Sequence, residues 1–191
     1  MRRLISKAEE EKKKRRNQIL VGVVLIFVMF FSVIGYSLGN FQTSGTAIVN
    51  YNGFKFIQES NLWKVNVGNF QFSFNYNPNQ VGKISSSLNL LSSYQDKPLY
   101  FSSENSEAES EIYNNLFIQN KIIQRAQPAC LSGEKCSGNY PIKTCDDNFI
   151  IIKESNSSSV RQDKNCVFIE GKTEDFVKLS DSFLFKITGI Q

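Results

Sequence analysis

A chain of 191 residues with no histidine cannot assemble a Ser-His-Asp or Cys-His triad, nor a His-ligated catalytic metal. Its formal net charge of +4 belongs entirely to the N-terminal tail, because the first eighteen residues carry +5 and the rest carries −1. Aromatic residues make up 13% of the chain and prolines number only four, a composition that excludes a disordered stalk.

In chain order, residues 1–18 form a basic tail in which Arg2, Arg3, Lys12, Lys13, Lys14, Arg15 and Arg16 dominate. Residues 19–38, ILVGVVLIFVMFFSVIGYSL, carry no charge. Twenty residues at about 1.5 Å each span roughly 30 Å, the thickness of a bilayer's hydrocarbon core. The run has no polar face, unlike a core helix of a globular domain. It reads as a transmembrane helix. Positive charge on one flank, with no further basic residue until Lys55, predicts a cytoplasmic N-terminus and a single-pass cell-membrane protein with its bulk outside. The tail then serves topology and anionic headgroups rather than nucleic acid. A cleaved signal peptide ending near Ser37-Leu38-Gly39 is the rival reading, disfavoured by the length of the apolar run. A pilin would need a Gly or Ala cleavage point and an early helix glutamate, which are missing here. Gly35 and Gly39 form one GxxxG, a motif for weak self-association.

Residues 39–45 read as a linker, and 46–191 as one extracytoplasmic α+β domain. Its first part predicts a four-stranded antiparallel meander. Asn52-Gly53 is a two-residue hairpin signal, and Glu59-Ser60-Asn61 and Gly68-Asn69 mark further turns. Phe70, Phe72, Phe74 and Tyr76 alternate with polar residues, which places a buried aromatic face on the last strand. An aromatic row can also stack glycans, but core packing accounts for it. The segment 78–91 is ambiguous between helix and loop. Residues 98–102 read as a strand and 106–127 as a helix, with Ser106 and Glu109 as a capping box and Pro128 as its stop. Glu104, Glu107, Glu109 and Glu111 suit the positive end of that helix better than a cation site. Residues 148–153 are continuously apolar, as in a strand buried on both faces. They complete a strand–helix–strand unit. Val160–Gln162 and Cys166–Glu170 then make a meander with that strand. A C-terminal helix capped by Thr173 carries the stripe Phe176, Leu179, Phe183 and Ile187, and ends at Gly189.

The four cysteines, Cys130, Cys136, Cys145 and Cys166, all follow the apolar run. An even number in an oxidising compartment predicts disulfides. Four cysteines allow three pairings. Cys130–Cys136 with Cys145–Cys166 is favoured, because the first and third strands of the expected meander start at the same end of the sheet. The spacing C-x5-C-x8-C-x20-C lacks the close pairs of a zinc ribbon or a CxxC redox motif. A loop stapled between Cys130 and Cys145 is a candidate recognition loop. Asn156-Ser157-Ser158 is a glycosylation sequon.

The segments TAIVNYNGFKF with its following Trp, FQFSFNYNP, the spaced cysteines and NCVFIEG with DFVKLSDSFLFKITGI together resemble uncharacterised single-pass membrane proteins of small-genome archaea. That resemblance implies membrane placement and carries no activity, cofactor or catalytic residue. The functional expectation is a membrane-anchored binding or assembly module of the cell envelope, facing a protein or glycan partner. The alternatives are a membrane-tethered hydrolase using carboxylates such as Asp146, Asp147, Asp175 or Asp181, and an accessory subunit of a larger membrane complex. No cofactor or metal is expected. A concave site holding two carboxylates of raised pKa would favour the hydrolase.

Overall fold

The computed structural model describes residues 7–39, 47–136 and 138–191. The chain divides into two units at Gly45/Thr46. Arg2, Arg3 and residues 40–45 of the expected 39–45 linker lie outside the described residues, and Gly39 belongs to the helix instead.

The first unit is one helix, α1 (Lys7–Gly39). Its 33 residues run about 50 Å. From Glu11 to Ser32 nothing is buried, and the mean hydropathy of 1.5 is enough, by length and composition, to cross a membrane. Every large apolar side chain described there is open to its surroundings, Met29 the most at 70%. The helix starts inside the basic tail rather than at Ile19. Ala, Glu, Lys and Arg are strong helix formers, and Glu9, Glu10 and Glu11 stand four residues before Lys13, Lys14 and Arg15.

The second unit is an α+β domain. Strands β1 (Ile48–Tyr51), β2 (Phe54–Glu59), β3 (Leu62–Val67) and β4 (Phe70–Phe74) form an antiparallel meander in that order. The β1–β2 turn places Asn52 at φ 46° and Gly53 at φ 84°. The β2–β3 turn places Ser60 at φ 50° and Asn61 at φ 67°. Two successive left-handed residues match the twist of the strands they join. The aromatic face is core: Phe56, Phe72 and Phe74 are completely buried. Phe185, from the C-terminal helix, meets Phe74 at 4.4 Å and Phe56 edge-on at 5.8 Å between ring centroids.

A second sheet holds β5 (Pro98–Ser103), β6 (Arg125–Pro128), β9 (Phe149–Glu154), β10 (Ser159–Asp163) and β11 (Cys166–Gly171), in the order β10-β11-β9-β5-β6. Neighbours are parallel except for β10, which runs antiparallel at one edge. The apolar run on β9 is buried on both faces as expected. Ile150 and Ile152 enter the main core, while Phe149 and Ile151 join Tyr100, Ala129 and Cys166 on the other face. The last three strands are not a meander, since β11 inserts between β9 and β10. Both faces of β9 and β11 need cover, and central positions supply it. The partly exposed β10 takes the edge.

Helix α2 (Ser106–Tyr113) is shorter than expected. Its cap is Asn105, whose Oδ1 accepts from Ala108 N at 2.8 Å, and not Ser106. A wide π-helical turn, Asn114–Gln119, follows. The chain then reverses at Lys121, φ 51°. Residues 125–128 become β6 instead of a last helical turn. Pro128 fits there because β6 is an edge strand, where its missing N–H costs no ladder bond. The ambiguous segment at 78–91 holds no helix until the short 3-10 turn at Leu91–Ser93. Helix α3 (Phe176–Ile187) closes the core. Gly171 on β11 lets it approach, since a Cβ there would come within 2.7 Å of Leu179 Cδ1. Thr173 does not cap α3: a 3-10 turn, Thr173–Asp175, precedes the helix, and the Thr173 hydroxyl bonds Glu154 Oε1. Gly189 at φ 75° ends it, with Ile190 N donating to Phe185 O at 2.9 Å.

Candidate functional site

The free edge of β4 is closed by side chains rather than by a strand. Asn120 accepts from Gln71 N at 3.0 Å and donates to Gln71 O at 2.8 Å. Asn115 does the same for Ser73, at 2.9 and 2.8 Å. A strand repeats its outward amides every two residues, roughly 7 Å apart. A π-helical turn brings residues five apart onto one line, so Asn115 and Asn120 meet alternate strand residues. This pairing is the physical reason the helix widens and stops.

One turn earlier, Glu111 continues the row. Its Oε2 accepts from Asn75 Nδ2 at 2.7 Å, and its Oε1 lies 3.4 Å from Asn115 Nδ2. Beside it, from α3, stands Asp181, with no exposed surface. Asp181 Oδ2 accepts from Tyr76 N at 2.8 Å. Its Oδ1 finds no donor among the described residues. Burial pushes the Glu111 pKa up against the pull of its hydrogen bonds. Burial first, and the facing Glu111 second, hold Asp181 well above the carboxylate range. Glu111 lines an open hollow of about 520 Å³ together with Asn75, Tyr76, Ser106, Glu107 and Ser110. It is itself only 9% exposed.

These two carboxyls can hold a proton between them. A hydrolytic dyad also needs water at both, and Asp181 is sealed. Among the described residues no group of three or more His, Cys, Asp or Glu is placed to hold a metal. No family model, curated protein or solved structure matches the chain.

The remaining sequence candidates sit apart from this pair. Asp146 and Asp147 are turn residues, 3.5 Å from Lys164 and Lys143 respectively. Asp175 lies 3.3 Å from the Ser158 hydroxyl. Glu111, expected on a solvated first turn, is turned inward instead. Sequence reasoning also missed Asn115 and Asn120. Their only signal is the N-x4-N spacing, which is meaningless until β4 is known to lie alongside. The Ser182 hydroxyl donates to the Lys178 and Gly82 carbonyls at 2.9 and 3.2 Å, and Lys178 Nζ sits 5.4 Å over the Tyr76 ring.

Cys130 and Cys136 are 1.99 Å apart at sulfur, and Cys145 and Cys166 are 2.10 Å apart. Because Cys166 is in register with Phe149 across the parallel β9–β11 pair, Cys145 just before β9 reaches it. In the stapled loop, β7 (Cys130–Leu131) pairs in parallel with β8 (Ile142–Lys143). Lys143 Nζ lies 4.4 Å over the Tyr100 ring. Tyr140 and Ile142 point outward, 49% and 72% exposed. Asn156 is exposed in the turn between β9 and β10. Lys12, Lys13, Lys14, Arg15 and Arg16 are exposed on α1, which also contains Gly35 and Gly39.

Proposed function

We propose that this chain is a single-pass membrane protein whose disulfide-stapled α+β domain is displayed outside the cytoplasm as a binding or assembly module of the cell envelope. The observation that carries the reading is an apolar helix unburied from Glu11 to Ser32, in a chain whose four cysteines form two disulfides. An exposed apolar helix needs lipid, and disulfides persist in oxidising compartments. The exposed loop bearing Tyr140 and Ile142 is the candidate contact surface for a protein or glycan partner. Solvent exclusion at Asp181 weighs against the carboxylate hydrolase.

Protease added to intact cells should digest the region after residue 46 and leave a fragment containing α1. Alkylation of the unreduced protein should label no thiol. A C-terminal portion spared by protease, or four alkylated cysteines, would overturn the placement. Crosslinking in native membranes followed by mild-detergent purification should return one stoichiometric partner. If none is recovered and a sugar or peptide substrate is turned over, the binding module is wrong.

A further inference from the structure

We infer that Glu111 and Asp181 form a proton-binding latch: with the shared proton the pair ties α2 to α3 and to the end of β4, and without it the two helices separate. The geometry carries this. Asp181 is fully buried, its Oδ1 has no donor among the described residues, and the Glu111 carboxyl is its neighbour. Its Oδ2 holds the backbone N–H of Tyr76, and Glu111 holds the side chain of Asn75. One proton between the acids completes a bridge joining three elements. Removing it leaves two negative charges side by side in a desolvated space, where repulsion is strong.

Among the described residues no cation pairs with either carboxyl. From α2, Glu107 lines the same hollow and adds negative charge, while Asn115 is neutral. From the end of β4 come Asn75 and the Tyr76 phenol. From α3 comes Lys178, whose ammonium lies over the Tyr76 ring. Ordinary values are 4.5 for Glu and 3.8 for Asp, and both groups are raised in the folded protein. The folded state therefore binds protons more tightly than the unfolded one. The latch's contribution is complete below the ordinary values and is lost as pH rises through the raised ones. Glu109, also on α2 and raised by burial, adds a slope of the same sign. The comparison between variants, rather than the wild-type curve alone, is therefore decisive.

The latch is independent of the membrane placement and survives if that placement fails. The test uses the full chain in detergent micelles. Trp63, the only tryptophan and 6% exposed, reports core unfolding. From pH 5 to pH 8 the wild-type urea midpoint should fall, with the folded-to-unfolded ratio changing about tenfold or more. Asp181→Asn should keep most of its pH 5 midpoint at pH 8, since an amide can accept from Tyr76 N and donate to Glu111. Glu111→Gln removes the facing charge but leaves Asp181 buried, so it should flatten the curve less than Asp181→Asn does. A wild-type midpoint that is level or rises over this range would overturn the latch, as would the wild-type slope persisting in both variants. A merely structural role would shift the midpoints equally at every pH.

Discussion

A single amide at Asn115 satisfies both backbone groups of Ser73, and Asn115 is 1% exposed. Replacing it by Ala leaves a buried N–H and a buried C=O without partners, each costing about 1–3 kcal/mol. Asn115→Ala should therefore lower the urea midpoint, read from Trp63 fluorescence, far more than Asn114→Ala, whose side chain faces solvent. Asn115→Asp is the sharper probe. It keeps the acceptor for Ser73 N, loses the donor to Ser73 O, and sets a third carboxylate beside Glu111. We expect it to be the worse of the two substitutions above neutral pH. Equal unfolding curves for wild type and Asn115→Ala would show that Ser73 finds other partners.

The elements themselves differ in how far the sequence announces them. Asn52-Gly53 fixes a hairpin locally, and the alternating Phe70, Phe72 and Phe74 fix a strand and its buried face. Both signals lie within a few residues. The end of α2 does not work that way. Ile112, Leu116, Ile123 and Ala126 have helical spacing, yet the chain leaves the helix because Asn115 and Asn120 answer Gln71 and Ser73, more than 40 positions away. Glu111 and Asp181 were similarly illegible as a pair, since each alone suits an ordinary helix position. The two disulfides also differ as elements. Cys145–Cys166 closes 21 residues and Cys130–Cys136 closes 6. Chain-entropy arguments give about 3 and about 2 kcal/mol respectively. The Cys145→Ala/Cys166→Ala double variant should lower the global unfolding midpoint, because it removes the covalent tie at the start of the central β9–β11 pair. Cys130→Ala/Cys136→Ala should mainly speed hydrogen exchange in residues 130–143. Identical global losses from the two variants would refute that division.

At the scale of the whole molecule, α1 and the α+β domain treat their apolar residues differently. The domain closes its own core around Phe56, Phe74 and Phe185, whereas no residue of α1 between Glu11 and Ser32 is buried. Phe185→Ala should cost about 3–5 kcal/mol in the domain while the helical signal of α1 in micelles is unchanged. Loss of both together would mean the two units unfold as one. The asparagine pair along β4 has a consequence at this scale. A bare strand edge recruits the same edge of a neighbouring molecule. The membrane anchoring proposed above would confine copies to two dimensions and multiply such encounters. Asn115 and Asn120 occupy that seam with amides from the same chain, so crowded copies meet a closed side there. On the membrane placement proposed above, stripping both should convert dispersed copies into β-rich clusters well before the fold itself gives way.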